Sequence, residues 1–225
     1  MAVSALLKTF IQKGGSISLF NSDNKSFLLK VLANLIVQLG ITYYVMTNTS
    51  QLDPTYKWPL IIATFVLLFF ISFSELPIWV KGIAFALFSF CFGKLFTIYK
   101  KKYGEEAINI AVIGALSVFG VMFAIGATLL TFGIKLSPLF GFILFIALLG
   151  LIIVRLMSIF GSSLSPAKKT IYGAGIVIFA LYIVYDTNNI LRRTNYYNGD
   201  FITASMDYYL DIINLFTNIL GYENN

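Results

Sequence analysis

Tyr208-Tyr209-Leu210-Asp211-Ile212-Ile213-Asn214-Leu215-Phe216 lies in the middle of an apolar run covering residues 201–222. The run is too long for an ordinary strand and lacks apolar/polar alternation, so it predicts a helix. At 1.5 Å per residue it would extend roughly 33 Å, close to the ~30 Å hydrocarbon thickness of a bilayer. Asp211 then sits about ten residues in, roughly 15 Å from the start. An ionised side chain in hydrocarbon costs a few kcal/mol or more and persists there only with a partner or a task. This stretch therefore predicts both a membrane-spanning helix and a site upon it.

The same texture recurs upstream. Apolar runs fall at 27–46, 59–73, 77–99, 108–132, 138–160 and 170–187, making seven with the last. Pro59, Pro77 and Pro138 each open a run and Pro166 precedes another, while none of the five prolines falls in mid-run. Proline suits a first helical turn and kinks a helix interior, so these positions mark boundaries independently of hydropathy. The second run is short and is expected to borrow flanking residues to span. The expected fold is an all-α integral membrane protein with seven transmembrane helices. Residues 1–26 read as a cytoplasmic arm, 27–222 as the membrane domain and 223–225 as a short tail.

Composition agrees. Of 225 residues, 58% are hydrophobic and only 12% charged, against about 25% charged in soluble domains. The net charge of +6 resides mainly in the arm and loops, with no basic groove interleaved with aromatics, so no nucleic-acid partner is expected. With the N-terminus inside, inner segments hold eight cations (Lys8, Lys13, Lys25, Lys30, Lys81, Lys135, Arg192, Arg193) and outer loops six, a small bias in the expected direction. The single Cys91 excludes an internal disulfide, and the absence of histidine removes the commonest transition-metal ligand and Ser-His-Asp chemistry. Gly120-x-x-x-Ala124 offers a close helix approach.

Asp186 closes the run Ala180-Leu181-Tyr182-Ile183-Val184-Tyr185-Asp186-Thr187, and Asp207 precedes Asp211 by one turn on the same face. Lys94 and Arg155 lie near helix ends, from which long cations snorkel to headgroups. Asp is too short to do so. The bland reading of Asp186 is a loop-end residue satisfied by Arg192 or Arg193. An antiparallel hairpin of the last two runs would instead bring Asp186 near Asp207 or Asp211. Two close carboxylates in a low dielectric cannot both ionise easily, which supplies a proton switch without histidine. Their hard oxygens also suit Ca²⁺, so Asp186 and whichever of Asp207 and Asp211 meets it are candidate metal ligands.

Residues 182–190 (Tyr182-Ile183-Val184-Tyr185-Asp186-Thr187-Asn188-Asn189-Ile190), 199–204 (Gly199-Asp200-Phe201-Ile202-Thr203-Ala204) and 209–216 resemble the Bax inhibitor-1 family, which includes the Lifeguard proteins. The resemblance implies seven helices with the last central, and a calcium leak or regulator of calcium stores that restrains cell death. It also implies that Asp186 and Asp211 form a pH-sensing, gating pair. Some bacterial relatives pair the first aspartate with an arginine at the inner end of the second helix. This chain has Ser74-Glu75-Leu76 there, leaving Lys81, Arg192 or Arg193 as substitutes. Asp207 is an additional carboxylate.

No cofactor is expected beyond Ca²⁺ as the permeant ion. The expected partners are the lipid bilayer and cell-death regulators or calcium-channel proteins, with the chain a monomer or weak oligomer. A multi-pass location is expected in endoplasmic reticulum or Golgi if eukaryotic or viral, and in the plasma membrane if bacterial. The alternative function is a non-conducting membrane protein that suppresses death by binding partners. An intramembrane aspartyl protease lacks its Gly-x-Gly-Asp setting around either residue, so the chain is not expected to be an enzyme.

Overall fold

The computed structural model describes residues 22–73, 75–160, 168–192 and 199–225. The expected arm up to residue 21, Pro166 and Arg193 lie outside them. The described residues are helical apart from short connections: α1 (Ser22–Asn48), a 3-10 turn (Pro54–Tyr56), α2 (Lys57–Phe73), α3 (Ile78–Thr131), α4 (Pro138–Phe160), α5 (Lys168–Arg192) and α6 (Phe201–Glu223). Five of these six helices are long and apolar enough to cross a membrane.

Proline and capping residues set the boundaries. Pro77 is the N-cap of α3 and Pro138 the first residue of α4. Asp53 accepts a hydrogen bond from the Thr55 backbone N–H at 2.8 Å to start the 3-10 turn, which lengthens the short second run as expected. The α3 terminus closes through Gly133 at φ 78°, whose N–H reaches Leu130 O, while Ile134 N–H reaches Leu129 O. Only glycine enters that left-handed conformation without a Cβ penalty.

The 77–99 and 108–132 runs were expected as separate helices with a lysine-rich loop between them. Instead helix continues through Lys100-Lys101-Lys102 and Glu105-Glu106 and is broken at one residue, Gly104 (φ 86°, ψ 167°). Lysine and glutamate are good helix formers, so helicity propagates up to the glycine from both sides. A straight 54-residue helix would extend about 81 Å. Ring contacts show that the chain turns back instead. Phe85 and Phe88 meet Tyr209 while Phe96 meets Phe216, so the arm 78–103 runs parallel to α6. A Cβ on Gly114 would touch Ile219, and Phe119 and Phe123 meet Tyr208, so the arm 105–131 runs antiparallel to it.

Burial separates α6 from the rest. It is absent from the helices apolar enough to span, yet 14 of its 23 residues are buried, against α1, α3 and α5. By contrast α4 exposes Leu139, Phe142, Ile143, Phe145 and Ile146. Hydropathy selects for lipid contact, and a helix enclosed by its neighbours has no need of it. Close packing is achieved at glycines other than the expected one. A Cβ at Gly126 would come within 2.8 Å of Thr187 and Val184 on α5, and one at Gly93 within 2.7 Å of Thr42 and Val45 on α1. Gly120 and Ala124 are both exposed, and Gly120 has open space around it, so that pair brings no two helices of this bundle together.

Candidate functional site: a buried carboxyl pair

α5 and α6 are antiparallel neighbours. Tyr208 on α6 donates from its hydroxyl to Thr187 Oγ1 on α5 at 3.0 Å, deep in the bundle. This contact sits beside both acidic residues: Asp186 precedes Thr187, and Asp211 follows Tyr208 by three positions. The Asp186 and Asp211 side chains face each other within hydrogen-bonding reach, with Asp207 close enough to bear on both. Asp211 is only 5% exposed, whereas Asp186 and Asp207 are half-buried. The hairpin expected from sequence thus brings Asp186 to Asp211.

The Oδ2 atom of Asp211 is sealed from solvent and receives no hydrogen bond from an N–H or O–H group. The neighbouring side chain is itself a carboxyl, which is an acceptor when ionised. Two ionised carboxylates repel each other, and a pair of such acceptors binds only with a proton between them. A buried acceptor lacking one would cost about 1–3 kcal/mol.

Asp186 is not at a helix end, because α5 continues to Arg192. Of the cations considered as its partners, the two within the described residues, Lys81 and Arg192, are engaged elsewhere. Lys81 Nζ pairs with Asp200 Oδ2 at 2.6 Å, and Arg192 donates to Leu136 O at 3.3 Å and to Asn189 Oδ1 at 2.9 Å. Arg192 is therefore a clamp on the α3–α4 connection. Asn188 completes that clamp, donating to Ile134 O at 2.9 Å and accepting from Leu136 N–H at 3.0 Å. Neither role was legible, because each depends on a loop brought from 50 residues away. Arg155 does not snorkel but turns to α6, where its Nη2 donates to Asn218 Oδ1.

A second polar system flanks the pair across α6. Asn34 donates to Ser205 Oγ at 2.5 Å, Gln38 to Asn34 Oδ1 at 3.3 Å and Ser89 to Gln38 Oε1 at 2.9 Å. Thr42 Oγ1 then lies 2.6 Å from Tyr209 OH. Sequence reading passed over these uncharged residues because single Ser, Thr, Asn and Gln residues are common in membrane helices. As for metals, no group of three or more Asp, Glu or Cys side chains is placed to hold an ion together among the described residues.

A sequence model of the family described as "Inhibitor of apoptosis-promoting Bax1" matches residues 24–222, nearly all of the described helices. The chain belongs to the Bax inhibitor-1 family. It is 32% identical over 210 residues to Bax inhibitor 1 of Schizosaccharomyces pombe, covering 88% of this chain and 76% of that protein. Over 177 residues it is 31% identical to an uncharacterized protein of Helicobacter pylori, covering 73% and 70%. Protein LIFEGUARD 1 of Arabidopsis thaliana is 32% identical over 126 residues, 54% of this chain but only 50% of that relative's length. In this Bax inhibitor-1 family member the carboxyl pair joins the two helices that carry the motif residues 182–190 and 209–216.

Proposed function

We propose that this chain is a pH-sensitive cation leak of the Bax inhibitor type. It crosses the bilayer seven times, with α3 counted as two crossings turned at Gly104, and α6 lies at the centre. The Asp186–Asp211 pair is its proton-sensing gate and Ca²⁺ its permeant ion. Its cellular effect is to restrain cell death, from an intracellular membrane in a eukaryotic host or the plasma membrane in a bacterium.

The observation that supports this reading is the acceptor-against-acceptor contact between consecutive antiparallel helices, with Asp211 Oδ2 lacking a donor. A proton ties α5 to α6; its loss places two anions face to face in a poorly hydrated setting, which pushes the helices apart. Helix separation coupled to protonation is a gate. Asp207 adds a third carboxyl that attracts cations and biases the proton equilibrium of the pair. Calcium flux into liposomes containing the purified protein, measured across a pH series, tests this. The native protein should conduct with a pH-dependent rate, and Asp211→Asn should flatten that dependence. Unchanged flux and pH response in Asp211→Asn would refute the gating role.

A further inference from the structure

At the end of α5 and α6 remote from the aspartates, a cavity of about 500 Å³ opens between the Gly104 turn, the end of α4 and the start of α5. Its cations are Lys102, Arg155 and Lys168, accompanied by Tyr103, Ser158 and Tyr172. Arg155 is fixed by its hydrogen bond to Asn218 and by stacking of its guanidinium 5.8 Å from the Tyr172 ring centroid. Both holding groups occupy space that a glycine leaves open. A Cβ on Gly175 would collide with the Asn218 amide, and one on Gly221 with the Tyr172 ring. The guanidinium is thus held in a built pocket.

What this pocket lacks among the described residues is an acidic side chain. The ion pairs among the described residues are Lys81–Asp200 and Lys100–Glu105, and neither involves Arg155. Arg155 Nε is sealed from solvent without a hydrogen-bond partner. No Asp or Glu lines the cavity, and residues 161–167 contain none. Glu105, Glu106 and Glu223 at this end are exposed. A partly buried guanidinium reinforced by two ammonium groups, with no acidic side chain beside it, stabilises an anion that enters. Lys102 also donates to Tyr103 OH at 2.8 Å, which leaves that hydroxyl proton free to point elsewhere. A planar donor fork, flanking ammonium groups and a hydroxyl donor together match phosphate oxygens. The volume falls in the range of small-ligand sites, and a helix end is where lipid headgroups lie.

We propose that this cavity binds a phosphate-bearing anion, the phosphodiester of an anionic lipid headgroup or free phosphate, with Arg155 as its central ligand. The inference is independent of the aspartate gate. The test is thermal unfolding of the purified full chain in neutral detergent, with added phosphatidylglycerol, phosphatidylcholine or inorganic phosphate. Arg155→Gln is compared with the charge-matched Lys57→Gln, whose lysine is exposed elsewhere. Phosphatidylglycerol should raise Tm by about 5 °C at saturation while phosphatidylcholine does not. Arg155→Gln should abolish the rise and Lys57→Gln retain it. The same pattern with inorganic phosphate assigns the site to the free anion. Should Arg155→Gln not fold, Lys102→Gln/Lys168→Gln is compared with Lys57→Gln/Lys135→Gln under the same criterion. No rise in the native protein, an equal rise with phosphatidylcholine, or equal loss in the charge-matched variants overturns the proposal.

Discussion

Asp200 shows how one side chain can serve a helix and a pair at once. Its Oδ1 accepts from Thr203 N–H at 3.0 Å as the cap of α6, and its Oδ2 accepts from Lys81 Nζ at 2.6 Å. Burial acts to raise this carboxyl, but the hydrogen bonds from Lys81 and Thr203 outweigh it and hold it below the usual carboxylate range. A depressed folded value means the stabilisation is complete above the unfolded pKa of about 3.9 and is lost as pH falls through the folded value. Asp200→Asn keeps an N-cap but strands Lys81, which is 9% exposed at its side chain. The expected cost is about 2 kcal/mol, or roughly 5 °C in Tm at neutral pH. Melting at pH 7 and pH 3 checks the sign: the gap between variant and native should narrow at the acid end. In the proposed gate, Asp211→Asn would replace a shared proton by an amide N–H that donates to Asp186 at every pH. Helical content should be native in circular dichroism while flux loses its pH response. Asp211 and Asp186 were legible because a carboxylate within an apolar run has few uses. Lys81 and Asp200 were not, since each alone reads as an ordinary residue near a helix end, and only folding brings them together.

Among the elements, α3 carries the sharpest local requirements. Gly104 has φ 86° and ψ 167°, a conformation essentially confined to glycine, and its surroundings are open. Gly104→Ala is therefore strained by backbone alone, at about 1–3 kcal/mol. Gly126→Val fails for the opposite reason: its backbone is regular, but a Cβ would meet Thr187 and Val184 at 2.8 Å. Overpacking of this kind costs about 1–3 kcal/mol. It also moves Thr187, the acceptor for Tyr208, so flux should change together with stability. Gly120→Ala, facing open space, should melt with the native protein. Differential scanning fluorimetry of the three variants distinguishes strain, overpacking and neutrality. Sequence placed the ends of α2, α4 and α6 well, because proline and Asp-led caps act locally. It missed the continuity of α3, since a charged stretch resembles a loop until its helix propensity is weighed. It also chose the wrong packing glycine, because the spacing that marks a small-residue face does not say which face meets a partner.

For the whole molecule, the distribution of polarity follows from having lipid outside. Ile and Phe cover α4, while Asn34, Gln38, Ser89, Thr42 and Tyr209 hydrogen-bond inside and Asp211 is buried on α6. This arrangement fixes where the two functional readings part. Protection by conduction would depend on the carboxyl pair, whereas protection by partner binding would depend on the outer faces of the helices. Asp186→Asn/Asp211→Asn separates them, because two amides can hydrogen-bond to each other and keep α5 against α6 without exchanging protons. The Tyr208–Thr187 bond and the glycine contacts of α3 with α5 would also remain to hold the hairpin. Expressed in cells exposed to a death stimulus, this double variant should fold with a Tm within about 2 °C of native, a change under about 1 kcal/mol. It should reach its membrane and protect no better than an empty vector. Full protection, alongside calcium flux that no longer responds to pH, would assign the protective activity to the outer surface and leave the carboxyl pair a role in transport alone.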